Sequence, residues 1–214
     1  MTMRLPNLSR ASALVAAALF VAPAVRADDT SEFLNPDNWE GRADIWKIDA
    51  RAKSVTGETK EDPKYNTFLC SKAKYGDFEL TCKVRLVNAV GNSGFQVRSE
   101  RFDKEGDKQS FRVRGPQVDI GKGYFGGLYG EGVGGYLLKP KKDAAKPAEV
   151  NDYKIVVKGN HVTVTLNGEV TVDEEFPDNK GKNPAPKDGI IAFQAHAGPP
   201  MKVEFTDIKF TKLK

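Results

Sequence analysis

The stretch YKIVVKGNHVTVTLNGEVTVD, residues 153–173, decides the fold class of this chain. Apolar and polar residues alternate along it with a period of two, which is the pattern of half-buried β-strands. Gly159-Asn160 and Asn167-Gly168 interrupt the alternation, and both pairs tolerate the positive φ angles of two-residue hairpin turns. The stretch therefore predicts three consecutive antiparallel strands.

The same alternation recurs on both sides of this stretch. In DFELTCKVRL, residues 77–86, every second residue from Phe78 to Leu86 is apolar, which predicts another strand with one buried face. Four more strands are predicted from shorter stretches, namely SGFQVRS (93–99), FRVRGPQVDI (111–120), GIIAFQAH (189–196) and MKVEFTDIKFTKL (201–213). The charged stretch 100–109 is expected to form a loop between two of these strands.

Helix signals are nearly absent beyond the N-terminal region. Residues 141–152 contain helix formers, but Pro147 interrupts them. Many short strands separated by turns are typical of a β-sandwich or barrel. We therefore predict an all-β fold, a jelly-roll β-sandwich of two antiparallel sheets. The glycine-rich stretch 121–137 is expected to be a loop that crosses one face or rim, and such loops often carry function.

The N-terminus has the pattern of an export signal. Arg4 and Arg10 precede the apolar stretch 11–25, and small residues lead up to Ala27. This order predicts a signal peptide over residues 1–27 and a periplasmic or secreted protein. A membrane anchor is the weaker interpretation, because the apolar stretch is shorter than the roughly 20 residues that a span needs.

Composition and charge narrow the classes of partner that the protein is expected to bind. The formal net charge is +4, with 33 basic and 29 acidic residues dispersed along the chain. No basic run with interleaved aromatic residues occurs, so we expect no nucleic-acid partner, and no later stretch could span a membrane. We divide the chain into an irregular N-terminal segment, 28–45, and a sandwich domain, 46–214.

The two cysteines, Cys70 and Cys82, lie on either side of the predicted turn 74–77. Adjacent strands could bring them together, and an oxidising compartment would allow a disulfide. Two buried free thiols are the alternative, and spacing alone leaves both open.

Several of these stretches, taken in order, resemble the 3-keto-disaccharide hydrolase family. The resemblance runs from about Trp46 to the C-terminus. It rests on YGDFELTCKVRL (75–86), GNSGFQVRS (91–99), GPQVDIG (115–121), GGLYGE (126–131), NDYKIVVKGNHVTVTLNGEVTVD (151–173) and GIIAFQAHAGPPMKVEFTDIKF (189–210). It implies a concanavalin A-like sandwich and an oligosaccharide or glycoside substrate whose sugar carries a ketone at C3.

The chemistry that this resemblance implies sets the requirements of the site. A carbonyl at C3 acidifies the proton on C2, so a base can form an enolate, and the substituent on C1 then leaves by β-elimination. The site needs a base near C2, hydrogen-bond donors for the enolate and polar groups for the hydroxyls. A divalent metal could stabilise the enolate, and the resemblance leaves open whether this chain uses one.

Asp119 and His196 are the expected catalytic residues. In strands, Gln117 and Asp119 point to one side, as do Gln194 and His196. The resemblance implies that Asp119 is the general base or a metal ligand and that His196 belongs to the site. From position alone, a solvated aspartate at a strand end and a structural histidine remain alternatives.

Five residues are expected to bind the substrate: Arg98, Gln117, Tyr129, Gln194 and Glu131. Arg98 either holds a hydroxyl, an enolate oxygen or Asp119, or is a surface arginine. Tyr129 either stacks on a sugar or packs a loop, and Glu131 is a reserve acid or base. A non-catalytic carbohydrate-binding module is the alternative function, since one fold serves both. The sequence leaves the sugar, the linkage and the oligomeric state open.

Overall fold

A computed structural model describes residues 28–104, 106–177 and 186–214. The predicted signal peptide lies outside these residues, so the expected export stays a prediction. In the described part of the chain, helices are confined to one turn, α1 (Thr30–Phe33), and to two 3-10 turns at Pro36–Asn38 and Val87–Ala89. No described helix has the length and apolar character that a membrane crossing requires.

Fourteen β-strands make up most of the described residues. They are β1 (Trp39–Glu40), β2 (Trp46–Asp49), β3 (Ser54–Glu58), β4 (Thr67–Ser71), β5 (Phe78–Leu86), β6 (Ser93–Lys104), β7 (Asp107–Ile120), β8 (Leu128–Glu131), β9 (Gly135–Leu138), β10 (Val150–Lys158), β11 (His161–Leu166), β12 (Glu169–Glu175), β13 (Ile190–Ala195) and β14 (Lys202–Lys212). They form two seven-stranded antiparallel sheets. The front sheet has the order β1-β4-β13-β6-β7-β8-β9, and the back sheet has the order β12-β11-β10-β5-β14-β3-β2.

The main core lies between the two sheets. Phe95 and Phe193 from the front sheet meet Phe205 from the back sheet, with ring centroids 5.1 and 4.7 Å from that of Phe205. All three side chains are fully buried. Burial of each such side chain contributes roughly 1.5–3 kcal/mol, so contacts of this kind hold the sheets together.

The all-β sandwich of two antiparallel sheets is confirmed. β10, β11 and β12 form the predicted meander with turns at Gly159-Asn160 and Asn167-Gly168. β5 shows the predicted alternation, since Phe78 and every second residue to Leu86 are buried. These strands were predictable because one face of each is buried and the other is not.

The loop predicted over residues 100–109 is wrong, because β6 continues to Lys104 and β7 begins at Asp107. Charged side chains stabilise this long hairpin: Arg101 pairs with Glu40 and Asp103. β7 starts by crossing the outer face of the front sheet, where Thr67 Oγ1 donates to the Ser110 carbonyl at 3.0 Å. That face is therefore covered over β4.

Two other stretches are more regular than predicted. The glycine-rich stretch 121–137 contains β8 and all but the last residue of β9, and these two strands pair with each other at one end of the front sheet. The segment 28–45 contains α1 and β1, and its apolar side chains pack in the main core: Phe33, Leu34, Trp39 and Ile45. This segment is fastened to the end of β14, since Asp29 N donates to the Phe210 carbonyl at 3.1 Å.

The cysteines are free and buried. Residues 74–77 do not join adjacent strands, because β4, with Cys70, lies in the front sheet and β5, with Cys82, lies in the back sheet. Of the two alternatives that the sequence left open, the structure therefore has the two buried free thiols and not the disulfide. Burial raises the pKa of both thiols well above the usual range, which makes them poor nucleophiles.

Candidate functional site

Three buried glutamines form a hydrogen-bonded row on the outer face of the front sheet. Gln96 Nε2 donates to Gln117 Oε1 at 2.6 Å, and Gln117 Nε2 donates to Gln194 Oε1 at 3.3 Å. We call these residues the glutamine row; each is at most 1% exposed. Gln117 reaches β13 by passing over Gly94 of β6, where a Cβ atom would lie only 2.5 Å from Gln117 Cδ.

The row ends at the carboxylate of Glu131 on β8. Gln194 Nε2 donates to Glu131 Oε2 at 3.2 Å, and Asn66 Nδ2 lies 3.1 and 3.2 Å from the two carboxylate oxygens. Glu131 is half-buried, and burial raises the pKa of its carboxyl while the hydrogen bonds from Asn66 and Gln194 lower it. The amide donors of the half-buried Asn66 and the buried Gln194 thus compensate part of the desolvation of this charge.

Asp119 lies two residues beyond Gln117 on the same side of β7. It is only 4% exposed, and Asn92 Nδ2 donates to its Oδ1 at 3.0 Å. Burial raises the pKa of this carboxyl from its usual 3.8 to about 6, although the hydrogen bond from Asn92 acts in the opposite direction. A carboxylate with such a pKa is a stronger base than a solvated one.

His196 follows the end of β13 and is half-buried. Its Nδ1 lies 2.6 Å from the Ala197 carbonyl, which can only accept, so Nδ1 carries a proton and Nε2 is left for other contacts. The charge of His196 lowers the pKa of both Asp119 and Glu131, so the imidazole lies within electrostatic range of both carboxyls. The two expected catalytic residues and Glu131 thus influence one another's charge.

Tyr129 belongs to the same group. It pairs with Gln117 between β7 and β8, and its side chain is half-buried. Burial raises the pKa of its hydroxyl, and the charges of Glu131 and Asp119 raise it further. We call Asp119, Tyr129, Glu131 and His196 the polar cluster. Gln117 and Gln194 lie beneath it, with their amides already bonded to each other.

Arg98 lies outside the polar cluster. It has a φ of 45°, and the pairing of β6 with β7 shifts register between Gln96 and Glu100, so the side-chain alternation fails there. Its guanidinium is directed away from the cluster, where it donates to the carbonyls of Gly76 at 3.2 Å and Gly159 at 2.5 Å. It also pairs with Asp77 at 2.8 Å. The contacts of Arg98 join β5 to the β10–β11 turn.

Sequence reasoning missed Asn66, Asn92 and Gln96 as members of the site. Gln96 carried a signal, because it alternates with the core residues Phe95 and Val97 on a predicted strand. Asn66 and Asn92 lie just before β4 and β6, where no periodicity tells which way a side chain points. Only the tertiary structure brings these two amides to the carboxyls.

The described residues offer no set of side-chain ligands for the divalent metal that the chemistry could use. Across residues 28–104, 106–177 and 186–214, no three His, Cys, Asp or Glu side chains are grouped closely enough to hold a metal ion. The carboxyls of the polar cluster are instead bonded to amides of Asn66, Asn92 and Gln194. These side chains therefore do not form a ligand set that fits a metal ion, and the proposed steps use protein groups alone.

The raised pKa of Asp119 predicts an unusual effect of Asp119→Asn on stability. Below pH 3.8 the carboxyl is neutral in both the folded and the unfolded chain. As the pH rises through the window from 3.8 to about 6, the unfolded chain loses this proton first, so the wild type loses stability that the variant keeps. The unfolding free energy of the variant relative to wild type should rise by roughly 2–3 kcal/mol between pH 4 and pH 7. Urea unfolding at several pH values measures this difference, and a pH-independent difference would contradict it.

The fold is shared with several solved structures. A protein of Parabacteroides distasonis named as a candidate glycosyl hydrolase has 17% identity and a TM-score of 0.59, over 85% of this chain and 93% of that chain. A Bacillus subtilis protein of unknown function with a galectin-like fold has 13% identity and a TM-score of 0.61, over 82% and 90%. The carbohydrate-binding module CBM66 of Bacillus subtilis has 13% identity and a TM-score of 0.57, over 82% and 96%. At these identities the likeness shows the fold alone.

Comparisons of sequence identify the family. A comparison with curated proteins gives no significant match. A family model described as a 3-keto-alpha-glucoside-1,2-lyase-like domain matches residues 30–211, which includes β1 to β13, all but the last residue of β14 and the whole polar cluster. The resemblance found in the sequence is thereby confirmed, and the protein belongs to the family of 3-keto-alpha-glucoside-1,2-lyase-like domains.

Proposed function

We propose that this protein is an enzyme that cleaves 3-keto-glycosides by elimination followed by hydration. Membership of the family supports a carbohydrate-active role. The observation that carries the finer proposal is the polar cluster, in which the nearly buried Asp119, with a pKa of about 6, lies near His196 and Glu131. Such a group supplies a base and a proton donor in one place.

Asp119 is the base in the first step. Its carboxylate takes the proton from C2, the C2–H bond breaks, and the electron pair moves into an enolate across C2 and C3. A pKa of about 6 keeps the carboxyl mostly ionised near neutral pH while leaving it more basic than a solvated aspartate. The hydroxyl of Tyr129, which is within electrostatic range of both carboxyls, is suited to donate a hydrogen bond to the enolate oxygen.

His196 is the acid in the second step. The enolate electrons re-form the C3 carbonyl and make a C1–C2 double bond, while the bond from C1 to the leaving oxygen breaks. Protonated His196 gives the proton from Nε2 to that oxygen, because Nδ1–H is already engaged by the Ala197 carbonyl. The charged carboxylate of Glu131 stabilises the imidazolium before the transfer. Water then adds to C1, the proton held by Asp119 returns to C2, and His196 regains its proton from the water.

A non-catalytic carbohydrate-binding module is the second candidate. Hydroxyls of a sugar could also be held by Tyr129 and Glu131 without any reaction. The enzyme is favoured because binding alone gives no reason to bury Asp119, whose desolvation destabilises the charged form.

The deciding experiment follows release of the C1 substituent from a 3-keto-glucoside. Purified protein is incubated with the 3-keto-glucoside and, separately, with the same glucoside bearing a C3 hydroxyl. Release from the 3-keto compound alone is expected, because only the ketone acidifies the C2 proton, and it should persist with a chelator. Saturable binding without release would favour the binding module, and equal release from both compounds would contradict elimination.

A further inference from the structure

We infer that Asn66 and the glutamine row are positioning residues, which fix the direction of the Glu131 carboxylate and hold it in its ionised form beside His196. This inference rests on the proposed function for its role in the reaction, whereas the effect on Glu131 can be measured without any reaction. None of these amides has to touch the substrate.

Asn66 is built to connect Glu131 with the turn that carries His196. Its Nδ2 donates to both oxygens of Glu131, at 3.1 and 3.2 Å, while its Oδ1 accepts from Ala197 N at 3.0 Å. Ala197 is the residue whose carbonyl accepts from His196 Nδ1. The Asn66 amide therefore fixes the orientation of the Glu131 carboxylate through its NH₂ group. Through its oxygen it holds the backbone of the turn that positions the His196 imidazole. Next to it, Asp62 Oδ1 accepts from Gly198 N at 2.9 Å and holds the same turn.

The glutamine row has a fixed direction that ends at Glu131. An ionised carboxylate only accepts hydrogen bonds, so Gln194 must present its NH₂ group to Glu131 and its oxygen to Gln117. Because Gln117 must then donate to the oxygen of Gln194, its own oxygen faces Gln96 and accepts from it. The Oε1 atom of Gln96 in turn accepts from Ser99 Oγ at 2.7 Å. Every amide dipole in the row thus points its positive end towards Glu131. Buried chains of this kind strengthen one another, which favours a negative charge at the end.

The other charged groups around Glu131 do not replace these donors. His196 beyond β13 and Arg112 on β7 lower the pKa of Glu131, and burial raises it. Asp119, also on β7, and Tyr129, on β8 itself, are the remaining titratable neighbours. Removal of the Asn66 donor leaves the desolvation of Glu131 less compensated, so the pKa of Glu131 must rise.

Asn66→Asp separates the two halves of the Asn66 contact. The aspartate still offers an oxygen to Ala197 N, so the turn with His196 keeps its hydrogen bond, but the donor to Glu131 is lost and a second negative charge is added beside it. We expect the titration midpoint of the Glu131 carboxyl, followed by carbon-13 NMR, to rise by at least about one pH unit, a tenfold gain in proton affinity. Asn66→Ala removes the donor without adding a charge, so a rise of the midpoint in this variant is due to the lost hydrogen bonds. Asn160→Ala, at an exposed turn of the back sheet, should leave the midpoint unchanged.

Activity provides the second readout. With the 3-keto-glucoside, Asn66→Ala should lower kcat roughly tenfold, with KM nearly unchanged, and should move the acidic limb of the kcat profile to higher pH. In a Glu131→Gln background Asn66→Ala should cause no such move, because it adds no titratable group and the group through which Asn66 acts no longer titrates. A move of equal size in that background would overturn the inference.

The two proposals fail in different ways. An unchanged Glu131 midpoint in Asn66→Ala overturns the positioning role, whatever the activity. A raised midpoint in Asn66→Ala, together with a wild-type protein that releases nothing from the 3-keto-glucoside, overturns the proposed function and supports the positioning of Glu131.

Discussion

Asp119→Asn should lower kcat/KM for a 3-keto-glucoside by about a hundredfold to ten-thousandfold, the usual loss when a general base is removed. An asparagine keeps the size of the side chain and an oxygen that can accept from Asn92, which donates to Asp119 Oδ1 at 3.0 Å. It cannot take the C2 proton, so the first step loses its base. Initial rates of release at pH 7 to 8, where the wild-type carboxyl is mostly ionised, measure the loss.

The variant must be compared at equal content of folded protein. Because burial of the charged carboxyl destabilises the wild type above pH 6, the inactive variant should be no less stable there. Asp152→Asn is a matched control, since Asp152 is an exposed aspartate on β10 of the back sheet, and its activity should equal that of wild type. A folded Asp119→Asn protein with wild-type rates would remove Asp119 from the mechanism.

Arg98→Ala should reduce the free energy of unfolding by roughly 2–4 kcal/mol. Arg98 is 2% exposed, and its guanidinium donates to the carbonyls of Gly76 and Gly159 and to Asp77. The alanine leaves these acceptors without their donor, and it opens a space beside the ring of Phe176, which lies 5.5 Å from the guanidinium carbon. Arg98→Lys should lose less, because an ammonium retains the charge but cannot reach three acceptors in one plane.

Arg114→Ala is the matched control for this loss. Arg114 also lies in the β6–β7 hairpin and pairs with Glu100, but both side chains are more than half exposed, at 51% and 61%. Its removal should change the free energy of unfolding by less than about 1 kcal/mol. Urea unfolding of both variants under the same conditions gives the comparison. Equal, small losses would mean that the buried contacts of Arg98 do not hold the back sheet to the hairpin.

The strands that could be predicted are those with one buried face. β5, β10 and β11 alternate because the back sheet packs on the core with one side only. β4 gave no such signal, since all five of its residues are buried, and β1 has only two residues. The hairpin of β6 and β7 was hidden by its charged residues, which form ion pairs such as those of Arg101 with Asp103 in the hairpin and with Glu40 on β1.

The side chains of the site could be placed from the sequence only where residues alternate with a period of two along a strand. Gln117 with Asp119, and Gln194 with His196, fall on the side that alternation assigns to them. Arg98 departs from it because its left-handed backbone breaks the alternation, which no composition or spacing reveals. The role of Asn66 could not be predicted for another reason, since its partners, Glu131 and Ala197, are 65 and 131 residues away along the chain.

The glutamine row also constrains how this family member could have diverged. Each amide in the row both donates and accepts a hydrogen bond. Replacement of Gln117 alone would therefore leave the NH₂ group of Gln96 without its acceptor and the amide oxygen of Gln194 without its donor. Among descendants of a common ancestor, Gln96, Gln117 and Gln194 should therefore be inherited or replaced as a set. Lineages that lost the carboxylate at position 131 would be released from that constraint, and all three amides could then drift towards apolar residues.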